Sequence, residues 1–233
     1  MNYGEAKELF VYKAGDEAGL SERLESIPSA FLMAHEQLQR SLYDGQGVKL
    51  TDGNWRDSEA SADLTYAATD VDGVDTPEDY KTARTLWLVN ADGSRKALTP
   101  STENEANHMR LVAVREPMAP FLDAQNYHQR WYEKELRIAL LFPAADAVTL
   151  RLDYYRYLPF YTGDLDHDLF TDRWLDVMLA GAMANCVMLD PKLRGAYRQE
   201  FERAYYQAWK EDRMLKAGGV QRVRRPPLSS LRR

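Results

Sequence analysis

The chain has a single cysteine, Cys186, so it cannot close an internal disulfide, and nothing in it points to an oxidising compartment. Reducing cytoplasm is the default for where it is made. Long hydrophobic runs are also missing. The longest apolar window, Trp174 to Leu189, is interrupted by Asp176 and Asn185, and the opening MNYGEAKELF lacks the basic flank and apolar block of a signal peptide. No membrane span is expected. Motifs that carry chemistry are scarce as well: there is no G-x-S-x-G turn, phosphate-binding glycine loop, dinucleotide fingerprint or C-x-x-C pair. The four histidines, His35, His108, His128 and His167, show no H-x-x-x-H spacing, and each reads as a surface or interface histidine. No catalytic residue, metal ligand set or cofactor is therefore expected. A triad of dispersed residues leaves no local motif, so a hydrolase with a pocket in the middle of the chain stands as a rival reading.

What the chain does have is material for a core. With 233 residues and 45% hydrophobic content it can bury one mixed domain or two small ones. Fourteen tyrosines and five tryptophans are a generous share, and such rings favour contact surfaces, which hints at assembly. The net charge of −6 is unevenly spread. From Arg213 onward seven bases (Arg213, Lys216, Arg222, Arg224, Arg225, Arg232, Arg233) meet no acid, so the rest of the chain is more acidic than the total. Part of that excess lies between Asp52 and Asp79, where nine acids face only Arg56. An acidic body ends in a basic arm.

Residues 3 to 14 read as a short helix, and a second begins near Ser26, with Pro28 in its first turn and an apolar face of Ile27, Ala30, Phe31, Ala34, Leu38 and Leu42. From about 48 to 160 short alternating runs separated by Asp, Gly and Pro read as strands and turns. TLWLVNADGSRKAL looks like a hairpin turning at Asn90 to Ser94. ELRIALLFPAADAVTLRLDYYRYLP looks like another, with Leu136, Ile138 and Leu140 on one arm and Val148, Leu150, Leu152 and Tyr154 on the other. After Pro159 helical spacing returns in two long stretches, roughly 170–189 and 191–217, divided by Asp190-Pro191, a cap followed by proline at the first helical position. Tyr197, Phe201, Ala204, Tyr205 and Ala208 form the stripe of the last one.

TGDLDHDLFTDRW places Asp164, Asp166, Asp168 and Asp172 around His167. An EF-hand loop counted from Asp164 has Leu169 where the sixth position needs glycine and Leu175 where the twelfth needs an acid. Acids ahead of a helix are instead favoured by its N-terminal dipole, and Asp168 or Thr171 can cap it, so the stretch reads as a helix start. Cys186, inside an apolar run, reads as a small core residue. The small residues of LAGAMA, Gly181 among them, allow a neighbouring helix to come close. The basic tail VQRVRRPPLSSLRR has no helical stripe and is expected to be disordered until it meets a partner. Arg222, Arg224, Arg225, Arg232 and Arg233 would suit phosphates, making a nucleic-acid binder an alternative, but Pro226, Pro227, Leu228 and Leu231 add apolar and stiff elements that fit a protein groove.

The order of parts, namely two helices, a strand-rich middle, LRLDYYRYLP, an Asp-rich loop and then FTDRWLDVMLAGAMANC to KEDRM, resembles the head-to-tail adaptor (connector) proteins of tailed bacteriophages. The matching positions are Leu150, Leu152, Tyr154, Tyr155, Pro159, Trp174, Leu175, Gly181, Ala182, Tyr197, Tyr205, Asp212 and Arg213, with TPEDYKTARTLWL similar to the entry into the family's first hairpin. The resemblance implies an α+β fold: an antiparallel helical bundle from N-terminal helices (1–47) and C-terminal helices (161–218), an inserted β-rich, hairpin- or sandwich-like domain (48–160) and an extended arm (219–233). It further implies a ring of about twelve identical subunits below the portal, joining head to tail or nozzle proteins and passing DNA without specific binding. Such a protein would reside in the neck of the virion and be assembled in the bacterial cytoplasm. On this basis Arg222, Arg224, Arg225, Pro226, Pro227, Leu228, Arg232 and Arg233 are expected to dock on the portal, and Tyr206 and Trp209, off the inner stripe of the last helix, to contact the neighbouring subunit. Another neck or tail-completion protein of similar shape is the remaining alternative.

Overall fold

Asn2 starts the first helix, α1 (Tyr3–Ala14): its side chain accepts the Glu5 N–H, and the Glu5 carboxylate accepts the Asn2 N–H in return. The computed structural model describes residues 1–15, 26–44, 46–67, 70, 72–90, 92–115, 130–141 and 147–216. The elements that follow among the described residues are α2 (Ser26–Leu38), a 3-10 turn at Arg56–Ser58, β1 (Glu59–Tyr66), β2 (Val74–Asp75), β3 (Tyr80–Val89), β4 (Arg95–Pro100), α3 (Glu103–Arg115), β5 (Arg130–Lys134), β6 (Arg137–Leu140), β7 (Val148–Arg156), α4 (Leu169–Asp172), α5 (Leu175–Asn185) and α6 (Pro191–Lys216). The fold is α+β. The chain divides into two compact units, residues 1–57 with 158–233, and residues 58–157.

In the helical unit α5 is the centre. Every residue from Val177 to Ala184 is buried, which a helix tolerates only when it is apolar on all sides and small enough to be surrounded. Helices α1, α2, α4 and α6 all contact it. Gly181 is where the packing is tightest: a Cβ there would lie 2.9 Å from the Phe201 ring and 3.0 Å from Ala34 Cβ. Aromatic rings fill the rest. Phe10, Phe31, Trp55 and Phe170 are fully buried, Trp55 stacks on Tyr205 at 5.7 Å, and Tyr3 stacks on Tyr161 at 4.7 Å. The apolar face of α2 is buried as its spacing predicts, although the helix ends at Leu38 and Leu42 packs from beyond it. The stretch expected as one helix over 170–189 is broken. Helix α4 stops at Asp172, Trp174 starts α5 without a side-chain cap, and α5 ends at Asn185. Asp190 caps α6 as expected, accepting the Lys192 N–H at 2.7 Å.

In the β unit one mixed sheet runs in the order β1-β7-β3-β4-β5-β6-β2, antiparallel except for the β4/β5 pair. The β3/β4 hairpin forms as predicted, Leu86 opposite Leu98. The second predicted hairpin does not. β7 is bordered by β1 and β3 on its two edges, and β6 pairs instead with β5 and β2. The alternation along β7 was real, with Leu150, Leu152 and Tyr154 in the core, but it identified a face and not a neighbour. These side chains meet Leu86, Leu98, Trp131, Ile138 and Leu140 in one core. The region also contains a helix that strand spacing gave no reason to expect. Helix α3 covers a second small cluster of Ala106, Tyr132, Ala139 and Leu141. It opens on Thr102, whose Oγ1 accepts the Glu105 N–H at 3.2 Å while Glu105 accepts the Thr102 N–H at 3.0 Å. The T-x-x-E signature of that cap is present in the sequence.

Candidate assembly surface and its buried supports

The Asp-rich loop is a helix start, as its sequence predicts, and each carboxylate has a separate partner. Asp168 caps α4: its Oδ1 accepts the N–H groups of Phe170 at 2.9 Å and Thr171 at 3.1 Å. Asp166 accepts from Thr162 N–H, Thr162 Oγ1 and Gly163 N–H, and these bonds hold its carboxyl below the ordinary value. Asp164 pairs with Lys7 at 2.5 Å, and its backbone carbonyl accepts the Gly4 N–H, one of the unpaired donors at the start of α1. Asp172 faces His167 at 3.2 Å.

One expectation about histidine is corrected here. His35 is not at the surface; it is 1% exposed, ringed edge-on by Phe160, Tyr161 and Phe170. A buried imidazole needs partners for both nitrogens. Gln39 donates through Nε2 to His35 Nδ1 at 3.0 Å, so the ring proton lies on Nε2, which donates to Asp168 Oδ2 at 3.0 Å. Asp168 Oδ1 also accepts the Tyr161 hydroxyl at 2.7 Å. Burial by itself pushes the Asp168 carboxyl up, but the bonds from His35, Tyr161 and the Thr171 N–H outweigh it and hold it below its ordinary value. Burial, reinforced by the Asp168 charge, raises the Tyr161 hydroxyl. The sequence distance from His35 to Asp168 is 133 residues, which is why no motif announced the pair. His167 and His108 are exposed as expected, and His128 lies outside the described residues.

Trp209, Asp212 and Arg213 share one face of the last turns of α6. Trp209 is half-buried. It donates through Nε1 to Asp52 Oδ1 at 3.0 Å, and the Arg213 guanidinium, paired with Asp52 Oδ2, lies 5.2 Å from its ring centre. Part of the ring is therefore committed within its own chain. Asp212 is 1% exposed and accepts the Arg56 N–H at 2.8 Å. Burial raises its carboxyl above the ordinary value, a shift that the Arg56 bond and charge only partly offset. Tyr206, the other residue expected at a subunit interface, is half-buried. On the same helix Met214 and Leu215 are exposed, at 46% and 42%. The arm residues Arg222, Arg224, Arg225, Pro226, Pro227, Leu228, Arg232 and Arg233 lie outside the described residues.

The profile of the SU10 adaptor protein family matches residues 1–226, which spans both units. The chain belongs to the SU10 adaptor protein family. It is thus a phage adaptor, a structural protein of the virion. No curated protein matches the chain. Within this adaptor the loose motifs acquire definite work. The alternating leucines of LRLDYY are the inward face of β7, and Tyr154 donates its hydroxyl to Asp79 at 2.8 Å. The D-R pair near the end of α6 holds the loop from Asp52 to Arg56. Cys186 is a buried core residue, as expected.

The acidic run of residues 52–79 also reads differently in the adaptor than in its sequence. Asp52 pairs with Arg213, Asp57 with Arg56, Glu59 with Arg84, Asp63 with Arg151 and Asp75 with Arg137. Asp70 accepts the Ala67 N–H. Four of these five bases come from at least 25 residues away, so distant bases offset four of the nine acids, which the local sequence does not show. Among the described residues no helix is long and apolar enough to cross a membrane.

Proposed function

We propose that this protein is the ring-forming adaptor between the portal and the tail, working in the neck of the virion. The observation that carries this reading is the family match along nearly the whole chain. The helical unit supplies a suitable protomer body, because α5 is enclosed by helices and leaves the outer side of α6 available to a neighbouring copy. Tyr206 and the uncommitted part of Trp209, with Met214 and Leu215 beyond them, form the subunit contact; each is an amphipathic or apolar group half-buried or exposed on that helix. A ring of about twelve copies would match the symmetry expected below a portal.

The basic arm is the portal tether. Arg222, Arg224, Arg225, Arg232 and Arg233 offer charge-assisted bonds to acidic surface, and Pro226, Pro227 and Leu228 offer a stiff apolar segment that loses little entropy on docking. DNA passes through the ring without specific binding, since a body of net negative charge disfavours adhesion to phosphates. Electron images of the purified protein mixed with its portal test the reading: annular particles capping the portal are expected, and a monomer that leaves the portal bare would overturn it. Truncation after Gly219 is expected to abolish portal attachment while leaving the fold intact. Unchanged attachment would remove the tether from the reading.

A further inference from the structure

The chain leaves the helical unit after residue 57 and re-enters it at residue 158. Both crossings are tied down on the helical side, and both ties meet at the C-terminal end of α2. On the outgoing side Trp55 donates its Nε1–H to Leu38 O at 2.7 Å, Asp212 accepts the Arg56 N–H, and Asp52 accepts the Asn54 N–H at 2.9 Å while paired with Arg213. Gly53 passes so close to α2 that a Cβ would lie 2.6 Å from the carbonyl carbon and oxygen of Gln39 and from Arg40 O, and its φ of +64° is one that other residues rarely adopt.

On the incoming side the same Gln39 uses its side chain. Its Oε1 accepts the Leu158 N–H at 2.6 Å, and its Nε2 donates to Leu158 O at 3.1 Å, so the amide pairs with that backbone as a strand would. Gln39 is 5% exposed, and its orientation is enforced: Nε2 also donates to His35 Nδ1, and His35 is held by Asp168. Reversing the amide would set donor against donor at Leu158.

We infer that Gln39 is a mounting point, its backbone seating the outgoing crossing through Gly53 and its side chain gripping the incoming one through Leu158. His35 and Asp168 are positioning residues for the second grip, and Asp212 for the first. The chain thus leaves and re-enters the helical unit at two points that are fixed within that unit. The two ties share Gln39 but no hydrogen bond, so each can be cut alone, whereas crowding Gly53 forces the backbone of Gln39 and disturbs both.

Amide hydrogen exchange on the full chain, read at Arg56 and Leu158, tests this. Gln39→Met is expected to speed exchange at Leu158 by about tenfold and leave Arg56 protected, and Asp212→Ala to do the reverse, as the loss of one buried hydrogen bond predicts. Asp212→Asn keeps an oxygen for the Arg56 N–H and should restore protection there. Gly53→Ala should speed both. If Gln39→Met and Asp212→Ala raise exchange to the same degree throughout the chain, or leave both amides protected, or if Asp212→Asn exposes Arg56 as fully as alanine does, the mounting role is wrong.

Discussion

The helical unit and the β unit are held together in different ways. The first is built from two distant pieces of chain, closed by aromatic rings packed around a small-residue helix and by buried side-chain bonds whose partners are 119 to 167 residues apart. The second is one continuous piece, residues 58–157, held by backbone ladders over an inward-facing row of leucines, with its charges paired on the outer side. The difference is one of tolerance. A ladder of backbone bonds is indifferent to which side chain stands at an outward position, whereas interlocked rings and buried polar groups depend on each partner being present.

Removing a ring from the helical unit should therefore have the largest effect. Phe170→Ala takes away a fully buried side chain that touches both His35 and Trp55, and it should cost about 4 kcal/mol in denaturant unfolding. A loss below about 2 kcal/mol would mean that the rings do not interlock as described. Next in size, Gly181→Ala should cost about 2 kcal/mol in thermal melts, because Phe201 and Ala34 leave no room for its methyl group. Gly195→Ala on α6, which meets nothing within 4 Å, should instead stabilise by about 0.5 kcal/mol. The opposite signs of the two glycine changes separate packing from helix propensity.

The two buried carboxylates sharpen the comparison through pH. Asp168 is held below its ordinary value, so its contribution is present above the unfolded value of about 4 and is lost as pH falls through the folded one. Asp168→Asn should cost about 1–2 kcal/mol at neutral pH, with the gap to the parent closing in acid. Asp212 is raised, so its favourable contribution is complete below about pH 4 and is lost as pH rises through its folded value. Asp212→Asn should match the parent in acid and equal or exceed it at neutral pH. Parallel pH profiles for the two variants would contradict both assignments. The smallest effect belongs to the β unit's outer face: Arg84→Ala breaks the partly exposed pair with Glu59 and should cost about 0.5 kcal/mol, diminishing in high salt.

Much of the framework was legible without coordinates. The helix over residues 3–14, the β3/β4 hairpin, the Asp190-Pro191 start of α6 and the capping role of Asp168 depend on contacts within a few residues, which local spacing reports directly, and the apolar periodicity of α2 marks the face it buries against distant helices. The T-x-x-E cap of α3 was equally local, yet it was hidden by the strand-like pattern on either side. The second hairpin failed for a different reason. Alternation states which side of a strand is buried, but β7 could satisfy that requirement beside any strand presenting leucines, and β1 and β3 took both its edges.

Composition and periodicity by themselves determined the α+β make-up, the positions of most helices and the inward rows of the strands, since each follows from where apolar groups recur along a chain. Tertiary structure alone decided that His35 is buried and paired, that four of the acids of 52–79 find bases far away, and that Gln39 touches both crossings. The physical reason is that a charge or a hydrogen-bonding group is satisfied by whatever lies next to it in space, and the identity of that neighbour is set only when distant segments meet.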